Sequence, residues 1–309
     1  MTDDADLELP RGIALAWGVA ADPQRGPKRE MSVEKIVDAA VELADAEGLG
    51  AVSMAAVAAR LGYTPMSLYR YVSAKDDLLL LMQEEATGLP PAPEGQTTGW
   101  RERLRDGFTA MVGSYLRHPW MLDIPITGSP ITPNSSAWIE SSLVALADTP
   151  LTQEERIAVT LLVTGQARWY GTVLAGYASQ ARTTGMSPEQ ITEREGALFD
   201  ALISADGYPA LRAAVDAGAF VSDADPFQFG IERILDGVAA YLDALTAGGE
   251  RPDRPSWITL EDADVAGDKK VRDAQKAVRD ADKALRDATK VERAAVRDAR
   301  ERLARHPSA

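Results

Sequence analysis

Apolar residues recur at helical spacing through most of this chain. Between Ser32 and Glu47, the residues Val33, Ile36, Val37, Ala40, Val41 and Ala44 form one stripe, which predicts an amphipathic helix ended by Gly48 and Gly50. Ser53 is a good N-cap for a second helix, whose Val57 and Leu61 lie one turn apart on one face. Gly62 follows as a glycine suited to positive φ. Thr64 and Pro65 then open a third helix over about Pro65 to Val72, with proline at a position where its missing N–H costs nothing. Ser73 with Asp76 reads as a capping box for a fourth helix beginning near Ala74. That helix carries Leu78-Leu79-Leu80-Leu81-Met82 and is apolar all round, so burial on more than one side is expected.

Gly88 to Gly95 is a linker by composition. Trp100, Leu104, Phe108, Met111 and Tyr115 then mark an amphipathic helix, closed by His118-Pro119. Asp123 to Pro133 reads as a loop, and a helix covers about Ser135 to Ala147. Thr152 with Glu155 is a capping box for a long helix to about Gln180, and Ser187-Pro188 opens another. A short helix spans about Pro209 to Ala217. Asp225-Pro226 caps a further one, with Phe227, Ile231, Ile234, Val238, Tyr241 and Leu245 on its stripe. No stretch alternates with period two, so the chain is predicted all-α. The expected division is an extension over 1–31, a first domain over 32–87, a second over 96–250 and a charged heptad-like helix over 262–306.

The third helix carries unusual chemistry for its length. Leu68, Val72 and Pro65 fall on one side and are expected to pack inward. Met66, Ser67 and Arg70 fall on the other, flanked by Thr64, Tyr69 and Tyr71. That face suits a DNA major groove: Arg reaches guanine O6 and N7, Ser and Thr reach either base type, and Met66 meets a thymine methyl. Tyrosine hydroxyls and Lys75 suit phosphate oxygens, which position a helix without reading sequence.

The stretch Ser53–Met82, preceded by Ile36-Val37-Asp38-Ala39-Ala40, resembles the DNA-binding domain of the tetracycline-repressor (TetR) family. The matching pieces are IVDAAVELADAEGLGAVSM, VAARLG and LYRYVSAKDDLL; the motif is specific as a whole. One departure is Tyr71-Val72 where many members have His-Phe. The resemblance implies a homeodomain-like helix-turn-helix domain, with Ser53, Thr64, Pro65, Met66, Ser67, Tyr69, Arg70, Tyr71 and Lys75 at the DNA. It also implies a helical second domain that encloses a small, often apolar molecule and pairs two late helices per subunit into a four-helix dimer interface, here about 152–180 and 226–247. The expected activity is that of a ligand-responsive transcriptional regulator, most plainly a repressor, binding a palindromic double-stranded operator as a homodimer in the cytoplasm.

Charge qualifies this picture. The net charge is −14, and Arg25 to Thr87 holds seven Lys/Arg against ten Asp/Glu. Few phosphate contacts per subunit and a modest salt dependence follow. Asp3, Asp4, Asp6 and Glu8 make an acidic start, and the extension reads as a disordered leader, or as an arm in which Arg25, Lys28 and Arg29 reach a minor groove. From Val271 onward the chain repeats every seven residues, VRDAQKA, VRDADKA, LRDATKV. Asp268 to Arg305 holds thirteen Lys/Arg against eight Asp/Glu, leaving −19 for the rest. This tail is a solvated helix, a helix packed on the acidic body, a small coiled coil or a DNA-holding tail. It also carries the alternative function, an interaction protein working through the heptads.

Catalysis is hard to build here. There is no cysteine, the two histidines are His118 and His306, and no nucleophile-elbow, phosphate-loop or dinucleotide motif occurs. No cofactor or metal is expected, nor a membrane span. A ligand pocket is the better reading of the second domain. Its candidate lining is Phe108, Met111, Tyr115, Trp120, Trp138, Gln166, Trp169 and Tyr170, for a small hydrophobic or aromatic effector.

Overall fold

Helices are the only regular elements among the described residues. The computed structural model describes residues 9–20, 31–92, 99–126, 128, 131–222, 224–252, 265 and 267–305. The chain divides into two units, Met1–Glu250 and Arg251–Ala309.

In the first unit, α1 (Arg11–Ala16) precedes α2 (Val33–Glu47), α3 (Met54–Leu61), α4 (Pro65–Leu68) and α5 (Lys75–Thr87). Helices α2 to α5 close around one core in which Ile36, Ala40, Val52, Val57, Leu68, Val72, Leu78 and Met82 are fully buried. The caps follow the sequence: the hydroxyls of Ser32 and Ser53 accept from the N–H groups of Lys35 and Ala56. The expected Ser73–Asp76 box does not form. Ala74 is the N-cap of α5, without a side-chain cap. A capping box uses Glu or Gln at its third position, and the shorter Asp side chain reaches back poorly.

The leader expected to be disordered contains α1. Leu15 and Ala16 pack against the first core, and the Gly12 N–H donates to Asp77 Oδ1 at 2.9 Å. Just beyond α1, the Trp17 indole donates to the Ile131 carbonyl at 2.9 Å. Arg25, Lys28 and Arg29, the candidate arm, lie outside the described residues.

The rest of this unit comprises α6 (Trp100–Arg117), α7 (Pro133–Ala145), α8 (Gln153–Thr184), α9 (Pro188–Leu202), α10 (Pro209–Asp216) and α11 (Pro226–Thr246). Leu104, Phe108, Val112, Leu146, Val163, Ala167, Ile231 and Leu235 form a second core between α6, α7, α8 and α11. Helices α6 and α8 approach closely at Gly171, where an added Cβ would lie 2.9 Å from Tyr115 Cβ. The expected capping box of Thr152 with Glu155 is present, and the helix expected to open at Ser187-Pro188 starts with a second one, Ser187 with Gln190. Asp225 Oδ1 accepts from the N–H groups of Phe227 and Gln228, starting α11. Arg212 binds the Asp200 and Ile203 carbonyls and so ties α10 to α9.

The second unit contains α12 (Lys269–Arg305). Asp268 Oδ1 accepts from the N–H groups of Lys270 and Val271 at its start.

Candidate nucleic-acid interface and effector domain

The turn between α3 and α4 is set by Gly62. Its φ of +77° is left-handed, and Tyr63 N–H closes onto the Ala58 carbonyl at 2.9 Å. A β-carbon there costs about 1 kcal/mol or more, which glycine avoids. The regular α-helix of α4 is shorter than the sequence predicts and stops at Leu68, but Tyr69 N–H still bonds the Pro65 carbonyl, and Tyr71 and Val72 N–H groups bond Leu68. The chain from Pro65 to Val72 therefore stays wound. Leu68 and Val72 are both fully buried and anchor it to the first core.

The opposite face is open. Met66 is 72% exposed and Tyr69 45%, and Thr64, Arg70 and Lys75 are also exposed. An exposed methionine of that size on a one-turn helix has no packing role. Arg60, on α3, is held by Glu42 at 2.8 Å, whereas no ion pair ties Arg70 among the described residues. Three expectations change in detail. Pro65 faces solvent instead of packing inward, since at the first position of a single turn its ring projects away from the core. Thr64 gives no side-chain cap; its hydroxyl pairs with that of Ser67 at 3.0 Å. Tyr71 is half-buried against the core. Ser53 is exposed and its oxygen is used as the α3 cap, leaving the hydroxyl proton to donate.

Acidic residues of the first helices bind the second set. Asp45 Oδ1 on α2 accepts from Trp120 Nε1 at 2.6 Å and lies 2.8 Å from His118 Nδ1. Glu84 Oε1 on α5 accepts from the Asn134 N–H at 2.6 Å, and Trp138 Nε1 donates to the Gly88 carbonyl at 3.0 Å. Arg168 on α8 donates to the Leu122 and Ile124 carbonyls, both at 2.9 Å. The sequence counts these acids only toward the charge of the first domain. Their pairing partners are 50 or more residues distant, and no local signal marks them.

The expected pocket residues do not converge on one site. Trp120 and Tyr115 join the first core, because the segment after α6 turns back onto α2; Trp120 is 2% exposed. Trp138 is spent on the α5–α7 junction. Trp169 is 59% exposed on the outward side of α8, with Leu161 and Leu162. What remains together is Phe108, Met111, Gln166 and Tyr170. Tyr170 stacks on Phe227 at 4.5 Å and on Phe108 at 6.2 Å. Gln166 Nε2 approaches Gly230 of α11. The Tyr170 hydroxyl donates to Asp225 Oδ2 at 2.5 Å. Burial first, and that hydrogen bond second, push its pKa up to about 12. Across α6 and α11, Arg105 and Arg101 hydrogen-bond Glu232 and hold its carboxyl down to about 2.

A one-turn reading helix with an open polar and cationic face, seated on a three-helix core beside a separate helical domain, defines a helix-turn-helix DNA-binding regulator. The comparisons with known proteins give the family. Residues 36–82 match the model for bacterial regulatory proteins of the tetR family, and residues 91–242 match the tetracyclin repressor-like C-terminal domain. The chain is 32% identical over 237 residues to the HTH-type transcriptional repressor DrrR1 of Streptomyces coeruleorubidus, covering 76% of this chain and 87% of that protein. It is 30% identical over 254 residues to an HTH-type transcriptional regulator of Saccharopolyspora erythraea, covering 81% and 100%. Among solved structures it resembles Streptomyces coelicolor ActR in complex with actinorhodin, at a TM-score of 0.58 and 23% identity over 71% of this chain and 98% of that one. The chain belongs to the TetR family of transcriptional regulators and is not an enzyme.

Proposed function

We propose that this protein is a homodimeric repressor that holds a palindromic operator until a small hydrophobic or aromatic molecule releases it. The exposed Met66–Tyr69–Arg70 face, locked from behind by Leu68 and Val72, carries this reading. Each subunit places Pro65–Tyr71 in a major groove, with half-sites about 34 Å apart or somewhat more. Met66, Ser67 and Arg70 face bases, and Ser53, Thr64, Tyr69, Tyr71 and Lys75 face phosphates. DrrR1 is named as a repressor, which supports the sign of regulation.

The dimer forms through α8 and α11. Leu161, Leu162 and Trp169 are exposed on one side of α8, and Phe229 on α11. Large apolar residues left exposed on two neighbouring helices mark an association site. The effector contacts Phe108, Met111, Gln166 and Tyr170. ActR has been crystallised with actinorhodin and with (S)-DNPA, which supports a ligand in the corresponding domain. The effector acts by differential affinity for two dimer geometries. Among the described residues no helix is long and apolar enough to cross a membrane, and the protein works in the cytoplasm beside its DNA.

The test is a binding titration against duplex from upstream of the protein's own coding region and a scrambled control, at two salt concentrations. Two protomers per site, sequence preference and a shallow salt slope are expected. Equal binding to both duplexes would contradict the reading.

A further inference from the structure

Helix α12 carries a seven-residue repeat over three turns of the pattern: Val271–Ala277, Val278–Ala284 and Leu285–Val291. Val271, Val278 and Leu285 share one position, and Ala274, Ala281 and Ala288 the position three residues on. Ala277, Ala284 and Val291 flank them. Arg272, Lys276, Arg279, Lys283 and Arg286 fall on the opposite side at alternating spacings of four and three. The apolar line is open: Val278 is 61% exposed and Leu285 66%.

We propose that α12 pairs with α12 of a second copy of the chain, parallel and in register, through the seam Val271–Ala274–Val278–Ala281–Leu285–Ala288. Three observations support a second copy as the occupant. The first is the period. A straight helix lying on a globular surface keeps its apolar stripe at 3.6 residues, and a strict seven-residue repeat drifts about 20° per heptad unless two helices supercoil. The second is the seam. Valine at the first position favours two strands, and alanine at the other lets the backbones approach. The third is where the charges sit. Asp273 and Asp280 stand three residues before Lys276 and Lys283, a spacing at which opposite charges attract along one helix, on faces outside the seam. Asp273, Asp280, Asp282 and Asp287 lie among the cations, which disfavours duplex DNA as the occupant.

In-register parallel pairing stacks six apolar seam positions against their own counterparts, Val278 on Val278 among them, and ends before Glu292, where it would set like charges face to face. An alanine-rich seam is weak alone. The body dimer proposed above strengthens it by bringing the two tails to a millimolar effective concentration, and to that extent the inference rests on that reading.

The natural chain has no cysteine, so single cysteines report cleanly. Full-length Val278→Cys and Arg279→Cys proteins would be exposed to a mild oxidant, and disulfide dimers followed on non-reducing gels. Val278→Cys is expected to cross-link at least tenfold faster than Arg279→Cys, and pairing is overturned if the two rates match or neither links. Duplex DNA that shields Val278→Cys from a maleimide, with no disulfide formed, would also overturn it. Sedimentation of the Val278→Lys/Leu285→Lys protein separates the two interfaces. A dimer there, with no cross-linking in Val278→Cys, sinks the tail pairing alone. A monomer there, with Val278→Cys still linking, sinks the body dimer and leaves the tail pairing standing.

Discussion

Trp120 donates its indole N–H to Asp45 Oδ1 across 2.6 Å, joining the segment after α6 to the helix that backs the DNA-reading turn. His118 Nδ1 meets the same oxygen at 2.8 Å. A second tie, Glu84 to the Asn134 N–H, lies on α5. The two helix groups are thus joined by directional hydrogen bonds.

Asp45→Ala leaves the Trp120 N–H buried without its acceptor, a loss of about 1–3 kcal/mol. Thermal unfolding is expected to show a clear fall in Tm for Asp45→Ala and a smaller one for Asp45→Asn, which keeps an acceptor oxygen. The same two proteins should differ in how far effector weakens DNA binding. Identical melting for both variants and the natural protein would refute this tie.

Arg70→Ala is expected to weaken operator binding by about 1–3 kcal/mol and to relax preference at one base position, whereas Tyr69→Ala weakens all duplexes alike. Titrations against a panel of singly altered operators distinguish the two. Unchanged affinity in Tyr69→Ala would mean that α4 docks differently.

Leu68 is fully buried beneath the reading face. Leu68→Ala should cost about 2–5 kcal/mol of stability. Loss of specific DNA binding should accompany it, although Leu68 is buried. Chemical denaturation and binding measured on one preparation check both effects.

Trp169→Arg places a charge in the exposed apolar face of α8. Sedimentation should shift from dimer towards monomer while helical content holds. A protein that stays dimeric would move the interface away from α8.

Glu232 supplies a pH signature. Its carboxyl falls from 4.5 to about 2 through its hydrogen bonds to Arg105 and Arg101. A depressed carboxylate stabilises the fold above its unfolded pKa and loses that contribution as pH falls through the folded one. Stability should therefore decline between about pH 4.5 and about pH 2, and Arg105→Ala should flatten that decline. Unfolding free energies measured across this range provide the test.

Local chemistry was the legible part of the sequence. Ser53 and Thr152 with Glu155 cap their helices as expected, because a cap needs only neighbours in sequence, although the Ser73–Asp76 box did not form. The exposed side of α4 was legible for the same reason, Pro65 and Tyr71 excepted: one turn of helix fixes which residues oppose Leu68. Placement across the chain was not. Trp120 follows α6 in sequence but packs with α2, and α1 has no side-chain cap and only six residues to announce it. The capping box located α8 but does not separate a residue facing the core, such as Val163, from one facing outward, such as Trp169.

The measurement that bears most directly on the central claim is a selection of bound duplexes from a random pool, using the full-length protein, followed by titration of the winners. The account predicts enrichment of two-fold symmetric sites with half-sites about one helical turn apart or somewhat more. It further predicts that Arg70→Ala enriches them poorly and that effector elutes them. A pool that stays random, with binding that disappears at moderate salt, would contradict it.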